Sequence, residues 1–208
     1  MKKKLLFAIL GMAAISAFAQ GVIRLDNYNT YGPYVTYGPG SDGPVGVGLS
    51  NYYTMGLYYW NALGDFTGST VSDPTGSASP EALGNFLVAT GPGSTAQFQS
   101  TASGTAGAAL AGSAWNVPIA PGDTGGATVT LIVVAYEGAS YASAIYRAHS
   151  APFTLVTSDA SSPDPAKTGS AMPAFPVFII PEPAMFSLLF LGGGAGLLFR
   201  RRQPWDEA

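Results

Sequence analysis

Twenty-seven glycines and sixteen prolines punctuate a chain of 208 residues. Proline fixes φ and removes a backbone donor, and glycine costs a helix interior about 1 kcal/mol relative to alanine. Long helices and coiled coils are therefore disfavoured in the body of the chain, and short strands joined by turns are favoured. Only 10% of the residues are charged, so the surface must be covered largely by Gly, Pro, Tyr, Ser and Thr. The absence of cysteine excludes disulfides, thiolate zinc sites, cysteine nucleophiles and an acylated cysteine. A single histidine, His149, excludes multi-histidine metal centres.

The clearest strand is Ala127 to Glu137, with its run TVTLIVVAYE β-branched and apolar on both faces from Leu131 onward, as a central strand buried on two sides would be. Other strands are expected at Val22 to Asn27, Val45 to Leu49, Tyr52 to Trp60, Asn85 to Thr90, Ala96 to Ser100 and Pro152 to Val156. Ala139 to Ala148 reads as a short helix or a loop. The pattern predicts a mainly β chain with a single antiparallel β-sandwich-like domain over residues 20–157. Residues 158–180, rich in Ser, Pro and Ala toward their start, read as a linker that lifts the domain off a membrane.

Both ends look like addresses. Lys2, Lys3 and Lys4 precede the apolar run Leu5 to Phe18, and Ala17-Phe18-Ala19 precedes Gln20. That order predicts a signal-peptide helix over residues 1–19, cut by signal peptidase between Ala19 and Gln20. At the other end, Pro181-Glu182-Pro183 is followed by Ala184 to Phe199, which carries no charge, and then by Arg200, Arg201 and Arg202. Sixteen residues reach about 24 Å as a helix, short of a hydrocarbon core of about 30 Å. The arginines stay cytoplasmic and leave the preceding chain outside, so a C-terminal transmembrane helix is expected. Pro183 biases Glu182 toward an extended conformation and keeps the peptide outside the span accessible.

These three elements in this order resemble the PEP-CTERM sorting signal of Gram-negative bacteria, over residues 181–202. Ile180 stands where valine is commoner in that family, and a tail over 203–208 follows the arginines. The resemblance implies an exosortase in the inner membrane that recognises Pro181, Glu182 and Pro183 and releases the body to the cell surface or extracellular matrix. Arg200, Arg201 and Arg202 would be the membrane-retention cluster. The body also resembles exported β-rich proteins carrying this tail, through Gly21 to Asn27, Gly56-Leu57-Tyr58-Tyr59 and Thr128 to Thr157. That resemblance implies a β-rich fold and brings no activity.

Between Gln20 and Pro183, three basic residues (Arg24, Arg147, Lys167) stand against ten acidic ones, which argues against nucleic acid or anionic lipid as a partner. Gly38-Pro39-Gly40-Ser41-Asp42-Gly43 matches a dinucleotide-binding spacing, but Pro44 and Val45-Gly46 follow where a helix would have to begin. Turn chemistry likewise accounts for Asp26, Asn27 and Asn29 better than a calcium loop does. No catalytic set emerges, and no cofactor or metal is called for. Eight of eleven tyrosines fall between Tyr28 and Tyr59, with Thr30-Tyr31-Gly32-Pro33 repeated as Thr36-Tyr37-Gly38-Pro39. The expected function is that of an exported, membrane-anchored precursor with a structural or interaction role. The alternative is a carbohydrate-binding surface module in which Tyr31, Tyr34, Tyr37, Tyr59 and Trp60 stack on extracellular polysaccharide, whereas the favoured reading of the tyrosines is that half of them cap the sandwich core with their hydroxyls pointing out.

Overall fold

The computed structural model describes residues 21–28, 35–63, 66, 80, 86–100, 104–118 and 125–180. Pro181 to Pro183, the arginine cluster, the signal-peptide residues Ala17, Ala19 and Gln20, and both expected helices lie outside them. Among the described residues, no helix is long and apolar enough to cross a membrane.

The described chain is mainly β. In order, it forms β1 (Val22–Arg24), β2 (Thr36–Tyr37), β3 (Tyr53–Leu63), β4 (Phe86–Val88), β5 (Thr95–Gln97) and β6 (Trp115–Asn116). Then come β7 (Thr128–Glu137), β8 (Tyr146–His149), β9 (Phe153–Val156), β10 (Ala166–Lys167), a 3-10 turn (Thr168–Ser170) and β11 (Pro176–Ile179). One sheet runs β2-β11-β8-β7-β3-β4, with β5 also on β3 and β9 also on β7. The second runs β10-β1-β6.

The antiparallel pair β3–β7 is the spine, from Tyr53↔Glu137 to Tyr59↔Leu131, after which a bulge shifts the register to Leu63↔Val129. As expected from its β-branched run, β7 is buried on both faces. Met55, Leu57 and Tyr59 of β3, with Leu131, Val133 and Ala135 of β7, share a core with Ile23 and Trp115 of the smaller sheet. The rings of Tyr59 and Trp115 lie 5.3 Å apart across it. Each such aliphatic or aromatic side chain contributes about 1.5–3 kcal/mol on full burial. The opposite face of β3–β7 carries a smaller cluster of Tyr58, Phe86, Ile132, Val134 and Tyr141.

Several expectations change. Val45 to Leu49 is not a strand: Gly46 takes φ 81°, Val45 is exposed, and only Gly48 bridges to Thr36. Pro44 and Gly46 turn the chain back so that Tyr37 N–H reaches Val47 O at 2.8 Å. The first strand stops at Arg24, because the Asp26 carboxylate accepts the Tyr28 amide and Asn27 bonds with both its amide atoms to Gly107 O and Ala109 N–H. Ala139 to Ala148 gives a loop and then β8. The pairing is not wholly antiparallel, since β10 runs parallel to β1 and β11 parallel to β2.

The largest correction concerns residues 158–180, which are folded into the domain. Ser158 bridges Val22, β10 extends the smaller sheet, and β11 lies between β2 and β8 in the larger one. Met172, Phe175 and Val177 belong to the main core. The hydroxyls that suggest a solvated linker are spent on backbone: Ser158 Oγ accepts Ala166 N–H at 2.8 Å and Thr168 Oγ1 accepts Asp26 N–H at 3.0 Å.

Candidate functional site

A cavity lies over the second face of β3–β7, where Gly56 opposes Val134. A Cβ on Gly56 would come within 3.1 Å of Val134 Cγ2 and 3.4 Å of Tyr136 Cε1, so glycine leaves the floor open. Tyr58, Tyr136 and Tyr141 stand on one side, Val88, Ala89 and Thr95 on another, around about 150 Å³.

The remaining wall is the loop between β7 and β8, which Gly138 starts at φ 98°. Ser140 and Ser143 bond to each other at 2.7 Å. Arg147 of β8 holds the loop down: Nη1 donates to Tyr141 O at 2.8 Å and to Ala142 O at 2.5 Å, and the guanidinium lies 5.3 Å from the centre of the Tyr141 ring. Tyr141 in turn packs edge-on against Tyr58 and Tyr136, each 6.2 Å away. A guanidinium suits this task because one of its nitrogens can serve both carbonyls while its planar face lies over a ring.

Aromatic, alkyl and hydroxyl groups line the groove, with no charged side chain among them. Burial pushes the Tyr136 phenol above its ordinary range and keeps it a neutral donor. This surface can hold a small apolar or ring-bearing group by contact. It does not present an aligned nucleophile and base.

At Tyr37 and Tyr59 the tyrosine segment follows the core-capping expectation and not the stacking one. Tyr37 and Tyr59 are buried in the main core, the first bonded through its hydroxyl to Ser50 Oγ at 3.0 Å, so neither offers a ring face to a glycan. Amphipathic rings in a half-apolar strand are drawn inward by the area they bury. Trp60 is half-buried against Phe66, 5.5 Å between centroids. Tyr31 and Tyr34 lie outside the described residues. Tyr52 is the tyrosine of this segment that stands out, 75% exposed.

His149 is buried, and its Nδ1 donates to Ser150 O at 2.8 Å, while the Ser150 hydroxyl is occupied by Val133 N–H. Among the described residues, no three His, Cys, Asp or Glu side chains converge as metal ligands. Described carboxylates are used in local contacts: Asp26 accepts from Tyr28 N–H, Asp42 from Tyr53 Oη, Asp159 from Ser161, and Asp164 pairs with Lys167.

The sequence alone did not single out Arg147, Tyr136 or Tyr141 as one group. Tyr136 and Arg147 sit opposite one another on β7 and β8, a register that only the fold reveals. Comparison with family models, with curated proteins and with solved structures finds no match to this chain.

Proposed function

We propose that the chain is an exported precursor whose β-sandwich-like body is held at the inner membrane by its C-terminal span and then delivered to the cell surface or extracellular matrix. Signal peptidase and an exosortase are its processing partners, and its role there is structural or interactive.

The observation that supports this reading is that every described strand and both core clusters are built from residues lying between the two address segments. The described hydrogen bonding opens at Gly21, whose carbonyl accepts Val117 N–H at 2.9 Å, two residues past Ala19. Ile180, immediately before Pro181, is still tied into the sheet, its N–H donating to Ile145 O at 2.7 Å. Cuts after Ala19 and within Pro181 to Pro183 would therefore remove no described strand and leave both core clusters complete. A passenger that loses its ends and keeps its fold needs this arrangement.

The test is the intact mass and terminal sequence of the protein recovered from envelope and medium, in cells with and without the exosortase. A mature N-terminus at Gln20 in both, with loss of the residues after the Pro-Glu-Pro motif only when the exosortase is present, is the expected result. Recovery of the uncut chain from the cytosol would overturn the proposal.

A further inference from the structure

We infer that the end of the domain from which the chain leaves β11 rests in the bilayer interface while the precursor is anchored. This depends on reading Ala184 to Phe199 as a membrane span, and it adds an orientation that the span alone does not fix.

The strand directions collect one set of connections at that end. The turn after β2 runs alongside β11, with Gly38 N–H bonded to Val177 O at 2.8 Å. The loop before β8 meets Ile180 through Ile145, and the start of β3 meets the end of β7 where Tyr53 opposes Glu137. Large apolar and aromatic side chains exposed on these connections are Tyr52 (75%), Val45 (65%), Ile145 (46%) and Ile179 (43%). Charge is sparse here. Among the described residues here, Asp42 is bonded to Tyr53 and Arg147 to the loop carbonyls, which leaves Glu137, and Glu182 follows in the tether.

The length of the tether decides what covers this surface. Four residue steps separate Ile180 from Ala184. Fully extended they reach about 14 Å, and the headgroup layer between water and hydrocarbon takes about 5–8 Å of that. The remaining clearance is smaller than the thickness of two packed strands, so the exit end cannot stand away from the lipid. A sixteen-residue span is also about 6 Å shorter than the hydrocarbon core, and the mismatch draws the flanking chain inward. An end carrying Tyr52 and branched aliphatics suits that position, since tyrosine favours the interface and apolar side chains gain by entering it.

The full-length chain contains no cysteine, so single labels are easily placed. Tyr52→Cys, Ile145→Cys and Val156→Cys each carry a polarity-sensitive dye in full-length protein reconstituted into phosphatidylethanolamine–phosphatidylglycerol vesicles with nitroxide-labelled headgroups. Val156 pairs with Thr128 at the far end of β7, about 30 Å from the proposed contact. Co-flotation with at least about twofold stronger quenching at 52 and 145 than at 156 is expected for side chains seated in the interface. Co-flotation with equal, weak quenching at all three positions overturns the orientation and leaves the anchor standing. Failure to co-float overturns the anchor reading, and the orientation falls with it.

Discussion

Val133 exchanges both of its backbone hydrogen bonds with Ser150, one of them with a side chain. Ser150 N–H donates to Val133 O at 2.8 Å, and Ser150 Oγ accepts Val133 N–H at 3.0 Å. The cause is a register change along β7. Val134 opposes His149 on β8, Leu131 opposes Phe153 on β9, and residues 150–152 on one strand face residues 132 and 133 on the other. Pro152 has no amide to give, and the serine hydroxyl stands in for the missing ladder acceptor.

Ser150→Ala removes that acceptor from a fully buried site and leaves the Val133 amide without a partner. An orphaned buried donor costs about 1–3 kcal/mol. In a domain of this size that corresponds to a fall in Tm of about 3–10 °C, measured by calorimetry on the variant and the parent.

Truncation separates a folded end from a linker. A chain stopped after Ile180 keeps every described strand and is expected to melt within a few degrees of the full-length protein. A chain stopped after Thr157 loses β10, β11 and the core side chains Met172, Phe175 and Val177. Each lost apolar side chain removes about 1.5–3 kcal/mol of burial, which together exceeds much of a typical domain's stability of about 5–15 kcal/mol. That shorter chain is expected to be unfolded or insoluble by circular dichroism and gel filtration, and a cooperative melt would restore the linker reading.

The contrast between β7 and β11 explains what could be read in advance. Thr128 to Glu137 is continuous and β-branched, so its double burial follows from local composition. Pro176–Ile179 is four residues long, begins with proline and follows a Ser- and Ala-rich stretch. Its place between β2 and β8 comes from partners about 140 and 30 positions away in sequence, which no local pattern encodes. Core capping by half of the tyrosines could be read in advance, but which of them turn inward could not. Tyr37 and Tyr53 meet edge-on, 5.7 Å apart, inside the core, whereas Tyr52 beside them faces solvent, and strand alternation separates neighbours that composition treats alike. The groove was invisible because Tyr58, Tyr136, Tyr141 and Arg147 come from β3, β7, a loop and β8.

Arg147→Lys tests whether the guanidinium positions the groove wall. Nη1 alone donates to Tyr141 O and Ala142 O while the guanidinium lies over the Tyr141 ring, and the shorter lysine side chain, with no planar group, cannot keep the bonds and the ring contact together. Charge-assisted bonds of this kind are worth about 1.5–3 kcal/mol, and the loss falls on the loop. Faster amide hydrogen exchange over residues 139–145, with β3 and β7 still protected, is the expected outcome. Unchanged exchange in that loop would remove Arg147 from the role.

Alkaline pH should weaken the fold through two phenols. Tyr53 is raised above its ordinary range by burial first, and then by its hydrogen bond to Asp42 and the charge of that carboxylate. Tyr136 is raised by burial. In both cases the folded protein keeps its proton at a pH where the unfolded chain has begun to lose it. Their stabilising contribution is therefore whole below the unfolded tyrosine value of about 10 and declines as pH rises above it. Urea midpoints are expected to be flat in these two groups' contribution up to about pH 9 and to fall beyond it. Tyr53→Phe keeps most of the buried ring, removes one titrating group and should flatten the alkaline fall. Phenolate absorbance in the parent should show two tyrosines ionising only as the protein unfolds. A Tyr53→Phe curve parallel to the parent's above pH 10 would assign the alkaline loss elsewhere.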